Sequence, residues 1–207
     1  MRLAVFDLDG TLADTSADLI AAANAALAQS KKSGRLSGPV DDLVAFAGGR
    51  AMLRLGLERT HGAADENEVD ALYPVLIDEY ADAIAVHTRL YPGVEAALHR
   101  LSANGWRHAV CTNKPEALAD KLLNELGVRH LFEALLGADT LDVRKPHPLH
   151  LQETISRSGG RPSHSVMIGD TITDRNAAAA AGVPCVLVGF GPAGEAVRDL
   201  TPEAILD

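Results

Sequence analysis

Apolar residues follow two rhythms along this chain. In the first stretch, Leu3-Ala4-Val5-Phe6, they run unbroken, and the run ends in Asp7-Leu8-Asp9-Gly10-Thr11. A short apolar run closed by a glycine reads as a buried strand with a sharp turn after it. From Asp14 to His87 the rhythm is helical. Asp14, Thr15 and Ser16 are candidate caps for an alanine-rich helix over Asp18 to Gln29. Ser30 to Pro39, with Lys31, Lys32, Gly34 and Gly38, reads as a polar loop. Helices are predicted over Val40 to Ala47, closed by Gly48-Gly49, and over Arg50 to Thr60, closed by His61-Gly62. A longer helix over Glu66 to His87 carries apolar residues at Val69, Leu72, Leu76, Ile77, Tyr80 and Ile84, with Pro74 placed to kink or split it.

After the punctuation Tyr91-Pro92-Gly93, the two rhythms alternate. Helix Val94 to Asn104 is followed by strand Arg107 to Thr112, helix Pro115 to Leu126 and strand Ala134 to Gly137. Helix Pro148 to Ser158, strand Ser165 to Gly169, helix Thr173 to Ala181 and strand Pro184 to Val188 complete the series. The remainder reads as a Gly/Pro-containing tail with a short apolar turn at Ala204 to Leu206. Strands alternating with helices predict an α/β fold, a doubly wound parallel (Rossmann-like) sheet. Residues 1–13 and 88–207 form that core, and the all-helical insertion 14–87 leaves it directly after the first strand, where a lid would be hinged.

Composition narrows the classes of function. The chain has 207 residues, 47% hydrophobic and 23% charged, as in ordinary globular proteins. A net charge of -9 argues against nucleic-acid binding through the phosphate backbone. Cys111 and Cys185 lie in apolar runs and are expected as buried free thiols, which with the lack of an evident signal peptide suits a cytoplasmic protein. No stretch approaches the roughly 18 uninterrupted apolar residues of a membrane span.

The chemistry is concentrated where strands end. In an open parallel sheet, ligands collect beyond the carboxyl ends of the strands. Asp7 and Asp9, two residues apart, are expected on one side of β-structure, where two anions need a cation such as Mg²⁺. Thr112 and Asn113 end another strand, just before a helix N-terminus suited to a phosphate oxygen. Lys145, held by Pro146 and Pro148 out of the following helix, places an ammonium at the same edge. Asp170 and Asp174 follow Gly169. Taken alone, Thr112 reads more readily as a helix cap and Lys145 as a surface lysine, and the Asp7-Asp9 and Asp170-Asp174 segments read equally as turn or cap residues. Together they are the parts of phosphoryl transfer: a nucleophile, positive charge, hydrogen-bond donors and a metal clamp.

This set resembles the haloacid dehalogenase superfamily, whose four segments match DLDGT at Asp7 to Thr11, VCTN at Val110 to Asn113, Lys145-Pro146, and GDTITD at Gly169 to Asp174. The insertion resembles the small, all-helical type of cap domain. TNKP at Thr112 to Pro115, KPHP at Lys145 to Pro148 and VLVGFGP at Val186 to Pro192 look most like phosphoglycolate phosphatases. The resemblance implies Asp7 as the nucleophile that forms an aspartyl-phosphate, and Asp9 as the acid and then base. It implies Mg²⁺ held by Asp7, the Asp9 carbonyl and Asp170, with Asp174 beside them. Thr112, Asn113 and Lys145 would bind the phosphate, and Arg50, in Gly48-Gly49-Arg50, would meet a substrate carboxylate. Arg175 departs from the family pattern, where an apolar residue is common. His147 and His150 lack further ligands for a metal site, and Trp106 and Tyr91 read as packing residues.

The leading expectation is a Mg²⁺-dependent phosphatase for a small phosphorylated metabolite, 2-phosphoglycolate the best single guess, acting as monomer or homodimer. Asp9 argues against a dehalogenase, which needs no acid at that position. A β-phosphoglucomutase would use it for transfer between sugar hydroxyls. A phosphonate hydrolase would want a cap lysine, and only Lys31 and Lys32 are available. A phospho-acceptor regulator would share the acidic cluster and the lysine but explains neither Asp9 nor the helical insertion.

Overall fold

The computed structural model describes residues 1–30 and 34–207; Lys31 and Lys32 of the expected loop lie outside the described residues. The chain runs β1 (Arg2–Phe6), β2 (Ala13–Asp14), α1 (Ser16–Gln29), α2 (Asp42–Phe46), α3 (Gly49–His61), α4 (Glu66–Asp82), β3 (Arg89–Leu90), α5 (Val94–Ala103), β4 (Trp106–Cys111), α6 (Glu116–Glu125), β5 (Ala134–Leu136), α7 (Pro148–Arg157), β6 (Ser165–Gly169), α8 (Ile172–Ala181), β7 (Cys185–Val188) and β8 (Ala204–Leu206). It divides into two units, one of residues 1–14 with 89–207 and one of residues 15–88.

The first unit is built on a six-stranded sheet of order β5-β4-β1-β6-β7-β8, every neighbour parallel. β1 takes an interior place because both of its faces are apolar. Leu3 and Val5 are fully buried in a cluster with Ala109, Leu136, Leu151, Ile155, Met167 and Leu187. Phe6 faces the other way, edge-on to His108 and Phe132 at centroid distances of 6.0 and 6.4 Å. Burying each large side chain contributes about 1.5–3 kcal/mol, which fixes the register of β1 and hence the place where Asp7 emerges. Two side chains expected to pack do so: Tyr91 lies against Phe190, centroids 5.1 Å apart, and Trp106 carries the Arg2 guanidinium 5.2 Å above its ring.

The second unit packs α1 against α3 and α4. Ala23, Ala26 and Leu27 of α1, Met52, Leu53 and Leu57 of α3, and Val69 and Leu76 of α4 are buried. Asp18, at 4% exposure, does more than start a helix. Its carboxylate accepts from the His87 and Thr88 backbone N–H groups and from the Thr88 hydroxyl at 2.8–3.0 Å, joining the two ends of the insertion.

Three sequence expectations need correction. α4 stops at Asp82 rather than His87, because Ala83 leaves helical geometry (φ -129°, ψ 41°) and the following residues turn so that His87 and Thr88 reach Asp18. Pro74 sits inside α4 without splitting it. Ala204 to Leu206 is not a turn but β8, the sixth strand, parallel to β7. Its apolar run, Ala-Ile-Leu, is only three residues long and lies largely exposed on the sheet edge, too short to distinguish a strand from a turn by pattern. Two short strands also went unread: β2 and β3 pair antiparallel, Ala13 with Leu90 and Asp14 with Arg89. No helix among the described residues is long and apolar enough to cross a membrane.

Candidate active site

Asp7 follows the last residue of β1, and its N–H still donates to Ile168 of the neighbouring β6 at 2.9 Å. Its Oδ1 accepts from the Leu8 N–H at 2.7 Å and from Lys145 Nζ at 2.9 Å. Lys145 arrives from the loop before α7 and is buried to 2% exposure. Its ammonium also meets Asp174 Oδ1 at 2.7 Å, so one cation bridges two carboxylates that lie far apart in sequence. Asp170 follows β6, and its Oδ1 accepts from the Thr11 hydroxyl at 2.9 Å. Asp174 is fully buried at the start of α8, where its Oδ2 accepts from the Thr171 N–H and hydroxyl in a capping box. Its other oxygen is thereby turned toward Lys145.

Two glycines make room for this crowding. A Cβ on Gly10, whose φ is +81°, would stand 2.4 Å from Asp170 Oδ2. A Cβ on Gly169 would stand 2.4 Å from Asp174 Cγ. Both are far inside any real contact, so each glycine lets a backbone approach a carboxylate.

Asp7, Asp170 and Asp174 each offer an oxygen within 4.8 Å of the others. Burial, and then the neighbouring carboxylates, push Asp7 up to about 6 despite the opposing pull of Lys145. Burial followed by Asp174 and Asp7 raises Asp170 well above the carboxylate range. Burial opposes the charge on Lys145, yet Asp174 and Asp7 outweigh it and hold the ammonium above the ordinary lysine value. Three buried carboxylates against one ammonium leave excess negative charge in a dry place. Hard oxygen donors with surplus negative charge fit a divalent cation.

The remaining expected residues divide. Asp9 stands outside the carboxylate triad: its Oδ1 pairs with Lys114 Nζ at 2.8 Å. Thr112, buried at the end of β4, accepts from the Lys114 N–H at 3.1 Å, which leaves its own proton to donate. Asn113 donates from Nδ2 to the Lys145 carbonyl at 2.9 Å and so ties the two loops together. Arg50 belongs to the helical unit, where it pairs with Asp70 and lies 4.4 Å above the Tyr73 ring. His147 caps α7 by accepting from the Leu149 N–H, and His150 lies buried with Nε2 2.9 Å from the Gly137 carbonyl. Arg175 reaches away to the Thr201 carbonyl and Glu203. Cys111 and Cys185 are free and buried, and burial pushes both thiols up to about 12, where they are inert as nucleophiles. Lys114 and Thr11 were not singled out as partners of Asp9 and Asp170; the one available signal was Lys114's place directly after Thr112-Asn113 at a strand end.

A model of the haloacid dehalogenase-like hydrolases matches residues 1–182. The chain belongs to that family. This hydrolase is 41% identical to a phosphoglycolate phosphatase of Mesorhizobium japonicum over 206 residues, covering 98% of this chain and 88% of the relative. It is 38% identical to a phosphoglycolate phosphatase of Agrobacterium fabrum over 207 residues, covering 99% of this chain and 88% of the relative. Its fold also matches a Lactobacillus delbrueckii subsp. bulgaricus protein solved as a candidate phosphoglycolate phosphatase, with a TM-score of 0.87 and 27% identity over 100% of this chain and 95% of the other. In this hydrolase the family's four segments converge at one edge of one sheet, with the cation-bridged carboxylates at the centre.

Proposed function

We propose that this hydrolase cleaves a small phosphomonoester, 2-phosphoglycolate, with Mg²⁺ as cofactor and an aspartyl-phosphate on Asp7 as intermediate. The single observation that carries the reading is the Lys145 ammonium held between Asp7 and Asp174 beside Asp170. Such a site can both supply a fixed nucleophile and neutralise an incoming phosphate. The two relatives named phosphoglycolate phosphatase, each covered almost end to end, support the substrate. Two buried free thiols support a cytoplasmic setting.

Asp7, Asp170 and, close by, Asp174 would hold the metal, with the Asp9 carbonyl completing the set. When bound, Mg²⁺ supplies charge neutralisation for the phosphate oxygens. Asp7, oriented by the Leu8 N–H and Lys145, attacks phosphorus. The ester P–O bond breaks, and the leaving oxygen takes the proton of Asp9. Asp9, now ionised, removes a proton from water. The water oxygen attacks phosphorus, the P–O bond to Asp7 breaks, and phosphate departs. Thr112 donates its hydroxyl proton to a phosphate oxygen, and Lys145 balances the charge that develops. Asn113 holds the Lys145 loop in place and is the further phosphate donor at this edge.

The test is a substrate panel of 2-phosphoglycolate, hexose phosphates, nucleotides and pyrophosphate, with and without Mg²⁺, run on the wild type and on Asp7→Asn. The expected result is Mg²⁺-dependent release of phosphate, fastest from 2-phosphoglycolate, and no turnover by a folded Asp7→Asn protein. Near-normal rates in that variant would remove Asp7 from the chemistry. A long-lived phosphoprotein without turnover would point to a regulator instead.

A further inference from the structure

We propose that Lys114 reads the leaving group: its ammonium pairs with a carboxylate borne one carbon away from the ester oxygen, and so selects acidic phosphomonoesters over neutral ones. The inference deepens the proposed function and rests on its assignment of Asp9 as the acid that protonates the leaving oxygen.

Lys114 lies between the end of β4 and the start of α6, with only 4% of its side chain exposed. A lysine rarely gives up this much solvent without a charged partner, and here Nζ stands 2.8 Å from Asp9 Oδ1. The two ammoniums of the core therefore divide the work. Lys145 serves Asp7 and Asp174, on the side where phosphorus is attacked. Lys114 serves Asp9, on the side where the leaving group departs. An acid must come within about 3 Å of the oxygen it protonates. An ammonium 2.8 Å from that acid then lies roughly 6 Å from the leaving oxygen. A carboxylate one carbon away from the ester oxygen spans that gap, whereas a methyl group there gains nothing from the charge and a hydroxymethyl group gains at most a hydrogen bond without the charge pairing.

Charge balance points the same way. Asp7, Asp9, Asp170 and Asp174 would repel a substrate that carries a carboxylate in addition to its phosphate. Lys145 already bridges two carboxylates, which illustrates what one ammonium with three N–H donors can do in this site. Lys114 in the same bridging arrangement would join Asp9 to the substrate carboxylate. A lysine that only held Asp9 in position would instead affect every phosphomonoester alike.

The experiment compares kcat/KM for 2-phosphoglycolate and for 2-hydroxyethyl phosphate, which keeps the two-carbon skeleton and replaces the carboxylate by a hydroxymethyl group, at saturating Mg²⁺. The wild type is expected to prefer the acidic ester. Lys114→Gln is expected to lower kcat/KM for 2-phosphoglycolate by about tenfold or more beyond its effect on the neutral ester, chiefly through KM. Lys114→Arg, which keeps the charge, is expected to recover much of the preference. Lys114→Met is the alternative if Lys114→Gln does not fold. Equal losses on both esters in the folded variant would overturn the proposal while leaving the proposed function standing. A wild type that shows no preference for the acidic ester would remove the substrate reading, and this inference with it.

Discussion

Replacing Lys145 by Met keeps the length of the side chain and deletes its charge, and the structure states what is left behind. Nζ lies 2.9 Å from Asp7 Oδ1 and 2.7 Å from Asp174 Oδ1, with 1% of the side chain exposed. At an effective dielectric constant of about 20, each contact is a gross attraction of roughly 6 kcal/mol. Desolvation cancels much of that, and removing one partner of a buried pair costs about 3–5 kcal/mol. Against a total stability of about 5–15 kcal/mol, the loss is large, and it corresponds to a fall in Tm of roughly 6–20 °C for a chain of this size. Urea unfolding in EDTA, followed by the fluorescence of Trp106, the single tryptophan and a residue of β4, reads this directly. The loss should depend on pH with a definite sign. Asp7 is raised from 3.8 to about 6 in the folded protein, so its ionisation penalises folding as pH rises through that window. Deleting the ammonium raises Asp7 further and enlarges the penalty at high pH, whereas protonation relieves it at low pH. The variant should therefore be destabilised more at about pH 8 than at about pH 5. A loss below about 1 kcal/mol at the higher pH, or the same loss at both, would refute the argument from uncompensated charge.

Other outcomes follow from the same geometry. Mg²⁺ added to metal-free protein should raise Tm, and by more at about pH 8 than at about pH 5, because Asp7, raised to about 6, is ionised at the higher pH; a pH-independent shift in differential scanning fluorimetry would dissociate the ion from this cluster. Gly169→Ala drives a methyl group to within 2.4 Å of Asp174 Cγ and should cost about 1–3 kcal/mol while weakening Mg²⁺ binding measured by calorimetry. Unchanged metal affinity would show that Asp174 moves without consequence. Arg50→Ala should raise KM for 2-phosphoglycolate by about 2- to 10-fold more than for 2-hydroxyethyl phosphate. Equal effects would leave Arg50 to its partners Asp70 and Tyr73 within the helical unit.

What the sequence made legible was local and repetitive. Leu3 to Phe6, Ala109 to Cys111 and Val166 to Ile168 announce interior strands because both faces of a parallel sheet are covered, and their polar ends mark the site edge. β8 is not legible because three apolar residues are too short a run to tell an edge strand from a turn. Asp18 was legible as part of a helix, but its role depends on the return of His87 and Thr88, about seventy positions later in the chain. The pairing of Lys114 with Asp9 is of the same kind, since nothing in a Thr-Asn-Lys-Pro string says which carboxylate the lysine will meet. Arg175 departs from the family pattern directly beside Asp174, yet its guanidinium turns toward Thr201 and Glu203.

The two-residue ladder of β2 and β3 has a consequence for how such a chain can diversify. The detour through the four helices departs and rejoins at adjacent, mutually stitched points, so its length and sequence are decoupled from the order of strands that presents Asp7. Shortening it to a tight link between Asp14 and Arg89, or grafting a different detour onto the same stitches, would leave the connectivity of the sheet intact. Change in the one part can thus accumulate without disturbing the chemistry of the other.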